Sequence, residues 1–197
     1  QVRPGLVARQ WKQEGRTYYA WEGRDLPPFE HGPASASLTD VAPKVVLATV
    51  ESWPEKSRWF HQVNEPVFAS NDAIKQKTMA LVKGAKTDEE RFQRLTRWVA
   101  RAIRYSGISM GKGEGYTIHP SEMTFRDRAG VCKDKAGMLV TMLRDAGYEA
   151  YAAMTMAGAT VEQTPADQFN HAVVAVRVSD KEFRLLDPTW VPYSRSL

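Results

Sequence analysis

Apolar residues in the middle of this chain recur every three or four positions, a spacing that an α-helix gathers onto one face. Beginning at Asn71, with that residue or Ser70 as cap, Ala73, Ile74, Ala80 and Leu81 point inward until a stop near Gly84. Thr87-Asp88-Glu89-Glu90 has the form of a capping box, and Phe92, Leu95, Val99, Ala102 and Ile103 then share a face that ends before Tyr105. A third helix is predicted behind Gly130, with Cys132 in its first turn, Ala136, Leu139, Val140 and Leu143 buried, and Gly147 at its end. After it the period changes to two. Residues 148–156, 169–178 and 182–187 are strand candidates, and Asp180, between Ser179 and Lys181, marks a hairpin turn.

The opening reads differently. Residues 16–22 (RTYYAWE) and 45–50 (VVLATV) are short strand candidates, the second ended by Ser52-Trp53-Pro54. Between them, 26–37 (LPPFEHGPASAS) is too rich in Pro, Gly and Ser for a helix. Two strands do not make a stable domain. Residues 1–55 are therefore read as the tail of a preceding β-rich domain or an extended arm, and 56–197 as a core domain. The Gly-rich stretch 106–116 lacks the GK[ST] ending of a phosphate loop.

Composition narrows the classes. With 43% hydrophobic and 25% charged residues the chain is globular rather than disordered. Its apolar runs are too short for a transmembrane segment. The net charge of +4 is spread among 23 acids without a nucleic-acid motif, so no nucleic-acid partner is expected. Arg91, Arg94, Arg97, Arg101 and Arg104 share one side of a helix and read as a solvated face. A sequence that begins at Gln1 without an initiator Met or a signal-like stretch reads as a mature or excised piece of a longer, multidomain chain.

One cysteine excludes an intramolecular disulfide and a Cys-based zinc site, and leaves a candidate thiol nucleophile. A thiol attacks as thiolate, and the amides and dipole of a helix N-terminus favour that charge. Cys132 has this placement, with Lys133 and Lys135 adding positive charge and its own backbone N–H able to serve an oxyanion. His171 opens an apolar strand and Asp187 closes the next one. If the hairpin is centred on 179, the two are equidistant from the turn and face each other across the pair. The expected site is therefore Cys132 as nucleophile, His171 as base and Asp187 as the residue orienting the base. His31, His61 and His119 lack such company and read as structural, as does Asp134 in the first helical turn. Tyr105 and Tyr116 read as packing residues, with a second oxyanion donor as the alternative. Trp11, Trp21, Trp53, Trp59, Trp98 and Trp190 read as core or domain-joint residues, although Trp190 is near enough to Asp187 to reach a cleft.

Gly130-Val131-Cys132-Lys133-Asp134-Lys135-Ala136, Asn170-His171-Ala172 and Leu186-Asp187-Pro188-Thr189, in this order, resemble the core of the transglutaminase-like superfamily. The resemblance spans about residues 70–190. It implies a papain-like α+β fold, a catalytic helix packed on an antiparallel sheet, with Cys132, His171 and Asp187 at the family's triad positions. The opening region is similar, more loosely, to the end of the β-rich domain that often precedes such cores in bacterial envelope proteins, which implies export. One departure stands out: many members carry Trp after His-Ala, where this chain has Val173. No acidic cluster resembles the calcium sites of animal transglutaminases, so no metal and no cofactor is implied. The activity implied is acyl transfer from peptide or protein amides, with hydrolysis favoured over cross-linking. The rival reading is a non-catalytic member that binds peptide, glycan or a partner protein.

Overall fold

The structure, a computed structural model, describes residues 6–26, 32, 36–106 and 115–190. Of the expected Gly-rich stretch only Ser106, Gly115 and Tyr116 fall within these residues; His31 and most of the Pro-rich segment lie outside them. The chain divides into two units, 1–56 with 156–169, and 57–155 with 170–197.

The first unit opens with a hairpin, β1 (Val7–Gln13) and β2 (Arg16–Glu22), paired from Val7↔Glu22 to Gln13↔Arg16. Its two-residue turn, Glu14-Gly15, takes positive φ at both positions, the geometry whose twist matches that of antiparallel strands. The first strand had no clear signal because it is exposed along its whole length and so carries no alternation. The strand expected at 45–50 does not form beyond a single bridge at Val45. A short helix follows the hairpin, α1 (Leu38–Val41). Residues 156–169 join this unit through polar pins. Lys44 pairs with the buried Glu162 at 2.6 Å, Trp53 donates to the Glu162 carbonyl and packs against Phe169, and Lys56 pairs with Asp167.

Helix α2 (Trp53–Asn64) runs into the second unit, where a 3-10 turn (Glu65–Phe68) leads to α3 (Asp72–Val82). The Asn71 side chain accepts from the Ile74 N–H at 3.0 Å, as the cap pattern requires. Helix α4 (Asp88–Ala102) begins at its expected cap: Thr87 accepts from the Glu90 N–H, while Glu90 reaches one residue past the cap, to the Lys86 N–H. Strand β3 (Arg104–Tyr105) pairs in parallel with β4 (Ala129–Gly130), on either side of α5 (Ser121–Asp127). Then come α6 (Cys132–Asp145) and the antiparallel sheet β5 (Ala150–Thr155), β6 (His171–Ser179) and β7 (Glu182–Leu186), in the order β5-β6-β7.

Helix α6 is the centre of this unit. Every residue from Lys133 to Leu143 is buried, because helices cover one part of its surface and the sheet the rest. Ala172, Val174 and Val176 of β6 meet Leu139, Leu143 and their neighbours in one core with Ile74, Phe92, Leu95 and Val99. Gly137 allows the close approach, since a Cβ there would stand 2.7 Å from Ile118. Among the described residues no helix is long and apolar enough to cross a membrane.

Candidate active site

Three segments carry the candidate residues, and chain direction brings them to one end of α6. The helix is 14 residues long and rises about 21 Å. After the turn at Gly147 (φ +91°), β5 runs back along it for six residues, about 20 Å. Arg144, near the helix C-terminus, donates to Ala150 O at the start of β5, so Thr155 lies toward the end that Cys132 heads. Thr155 pairs with His171. The base candidate therefore starts its strand at the nucleophile's end of the helix.

Cys132 is a free, partly buried thiol at the first position of α6. The first N–H groups of a helix have no intrahelical acceptor, and here a carboxylate supplies one. Asp134 Oδ2 accepts from Val131 N–H at 2.9 Å, and Asp134 Oδ1 accepts from His119 N–H at 3.1 Å. Gly130 is required by this cap: a Cβ at that position would fall 2.6 Å from Asp134 Cβ. Asp134 is 1% exposed, and His119 Nδ1 stands 3.0 Å from its Oδ1.

Beyond the sheet's last ladder pair, Val174↔Leu186, the chain leaves β7 at Asp187 and Pro188, whose missing N–H cannot extend the ladder. His171 Nε2 lies 2.9 Å from Asp187 Oδ2, and Asp187 Oδ1 accepts from Thr189 N–H at 2.8 Å. The expected register is corrected in one respect. Pairing of Val174 with Leu186 centres the hairpin on 180, so Asp187 comes opposite Val173 and reaches His171 diagonally on the same face. The turn itself makes the difference: it falls at Asp180-Lys181, with Ser179 paired to Glu182, and the irregularity between Arg177 and Ser179 takes back only half a position. Partial burial would push the Asp187 carboxyl up, but hydrogen bonds from His171 and Thr189 outweigh it and hold the group below the ordinary carboxylate range.

A profile of the Transglutaminase-like superfamily matches residues 75–193. The chain belongs to that superfamily. Among solved structures, one from Parabacteroides distasonis that is named a candidate protease superposes with a TM-score of 0.65 at 16% identity, over 94% of this chain and 36% of its own. Another, from Cytophaga hutchinsonii and named a candidate cysteine protease, gives a TM-score of 0.47 at 18% identity over 64% of this chain and 41% of its own. No curated protein matches. The chain thus spans well under half the length of either structure. The α+β transglutaminase-like fold expected from the sequence, a central helix on an antiparallel sheet, is the fold observed.

The superfamily core also holds residues whose place the sequence did not reveal. Tyr105, expected to pack, is 47% exposed and pairs through its backbone strand with Gly130, two residues before Cys132. Its phenol is pushed up, by burial first and then by the charge and hydrogen-bonding reach of the Cys132 thiol. Its ring stacks on Trp190 at 5.9 Å, and Trp190 is 66% exposed rather than in the core. Lys133 and Lys135, expected to bring charge to the thiol, are both buried; Lys133 donates to Gly115 O, and Lys135 donates to three carbonyls. His61 lies beside Glu65 at 3.5 Å. Of the arginine stripe, Arg91 is held by Asp88 and Tyr148 and Arg94 by the Lys83 carbonyl, while Arg97, Arg101 and Arg104 are exposed.

Proposed function

We propose that this chain is a thiol-dependent acyl-transfer module for peptide or protein amides, with Cys132 as nucleophile, His171 as base and Asp187 holding the base. The observation that carries the reading is the His171–Asp187 hydrogen bond, made at the end of the sheet that lies alongside the cysteine-headed start of α6. Asp187 takes Nε2, which leaves Nδ1 as the nitrogen for the thiol. In the first step the thiolate forms a bond to the amide carbon and the carbonyl π pair moves onto oxygen. The N–H of Cys132 and the phenol of Tyr105 are the donors near that charge. His171, as imidazolium, then protonates the departing nitrogen, the C–N bond breaks, and a thioester remains. Water resolves the thioester to acid; an amine would resolve it to a cross-link. Hydrolysis is favoured because the structural neighbour of highest TM-score given above is itself named a candidate protease.

The reading extends to an exported protein at a bacterial envelope, supported by the bacterial source of that neighbour, and to a module within a longer chain, supported by the 36% of the neighbour that it spans. The test is to incubate the protein with a peptide library and follow new amino termini, free ammonia and amine incorporation in parallel. New amino termini are expected, with Cys132→Ala losing them altogether. Equal release by the Ala variant would remove the thiol from the chemistry.

A further inference from the structure

Lys135 is 1% exposed, yet its neighbours on α6 show that an apolar side chain could fill such a position. An ammonium has three donors, and here all have carbonyl partners: Ala100 O at 3.0 Å, Ile103 O at 2.9 Å and Thr189 O at 3.2 Å. Two of these carbonyls lie at the C-terminal end of α4, where carbonyls lack intrahelical donors and the helix dipole favours a cation. The third follows Asp187 by two residues. Burial pushes the Lys135 ammonium toward neutrality, and the charge of Asp187 opposes that.

The three segments joined at this ammonium each carry a residue of the candidate site. Cys132 is three positions earlier on α6, the same side of the helix. Tyr105 follows Ile103 by two residues, and Asp187 precedes Thr189 by two. Removing this ammonium would leave three carbonyls without their donor, so it serves the fold as well, and its test has to read the thiol separately from melting. We infer that Lys135 is a positioning residue of the thiol site: its ammonium fastens the Asp187–Thr189 turn and the end of α4 to the first turn of the nucleophile helix, so that His171 meets the thiol in one fixed orientation. The inference rests on the catalytic reading above, but part of its test needs no substrate.

The experiment compares the wild-type chain, Lys135→Met, Asp187→Asn and the double variant. The readouts are the rate of Cys132 alkylation by iodoacetamide near pH 6, turnover of an amide substrate, and thermal unfolding. Each single change is expected to slow alkylation about tenfold, and the double change to be no slower than the worse single by more than about twofold, because coupled sites are non-additive. Turnover should show kcat reduced with KM within about twofold, the pattern of an interaction made in the transition state. Lys135→Gln, which is neutral but polar, guards against a Met variant that does not fold and should share the loss. An unchanged alkylation rate in either folded variant, or losses that multiply independently, overturns the inference. Full turnover by Cys132→Ala would instead overturn the catalytic reading, and the alkylation cycle would still judge Lys135.

Discussion

Two histidine–aspartate pairs lie in the same unit, with nearly equal separations of 2.9 and 3.0 Å, and their surroundings set them apart. In the His119–Asp134 pair the carboxylate is 1% exposed and accepts from two backbone N–H groups, so its lone pairs are committed to fixing the start of α6. In the His171–Asp187 pair the carboxylate side chain is 40% exposed and the imidazole 17%, and one backbone N–H steadies one oxygen while the other is given to the ring. The first carboxylate works as a cap; the second is the one that the proposed function assigns to holding the base. Neither contact distance nor exposure of the ring separates the two pairs, since the His119 side chain is 22% exposed and that of His171 17%; the burial of the carboxylate and what its remaining lone pairs do set them apart.

The strongest way to break the comparison is to remove each ring. His171→Ala should lower turnover by about a thousandfold or more, since the proposed function gives this ring the task of taking and returning the proton. Asp187→Asn comes next, at roughly ten- to a thousandfold, less than in a serine enzyme because a thiolate–imidazolium pair is already partly formed. Circular dichroism and melting should show both variants folded. Asp187 also makes a pH prediction. Its folded pKa lies below the ordinary value of 3.8, so its contribution to stability is present above 3.8 and is lost only as pH falls through the still lower folded value. An acid limb of activity above pH 3.8 would therefore not belong to this carboxyl, and it should persist in the Asn variant.

For the capping pair the readout should switch from turnover to stability. Asp134→Ala leaves the Val131 and His119 N–H groups without their acceptor in a buried setting, at a cost of about 2–4 kcal/mol. That corresponds to roughly 5–15 °C in melting temperature for a domain of this size. An Ala variant that melted like the wild type would show the cap to be dispensable. A smaller loss is expected from Tyr105→Phe, which keeps the stack on Trp190 and removes only the hydroxyl. Loss of one oxyanion donor can cost a hundredfold or more, but a half-exposed phenol should contribute about tenfold, read in kcat and equally in the affinity of a peptide aldehyde. Faster turnover by the Phe variant would mean that the phenol blocks the thiol instead of serving it.

The elements that carry the candidate site could largely be read in advance because their signals are local. Asn71 and Thr87 announce helix starts by cap chemistry, and Cys132 lies where a Gly-led turn meets an apolar helix. His171 and Asp187 flank a turn whose distance from each is short enough to count. What stayed hidden depends on partners distant in sequence. The ammonium of Lys135 finds carbonyls 32 and 54 positions away, and Tyr105 meets Gly130 through a two-residue parallel pair with no periodicity to detect. The expected strand at 45–50 failed for a related reason: β-branched composition suits a strand only if another strand is there to pair with it, and beyond one bridge none is among the described residues.

The smallest expected effect is the sharpest test of the comparison. His119→Gln keeps a side-chain donor that can reach Asp134 Oδ1 and leaves the backbone N–H of residue 119 on the same carboxylate. Because the ring is read as a packed partner of the cap and not as a base, turnover should stay within about twofold. The melting temperature should fall by no more than about 2–4 °C, the equivalent of about 1 kcal/mol. The same exchange at the other pair, His171→Gln, should remove activity, since an amide cannot accept and return a proton near neutral pH. Running the two Gln variants side by side cancels the chemistry of the substitution and leaves only position. Should His119→Gln abolish turnover while melting normally, the roles of the two pairs would have to be exchanged, with Asp134 orienting the base and Asp187 serving the fold.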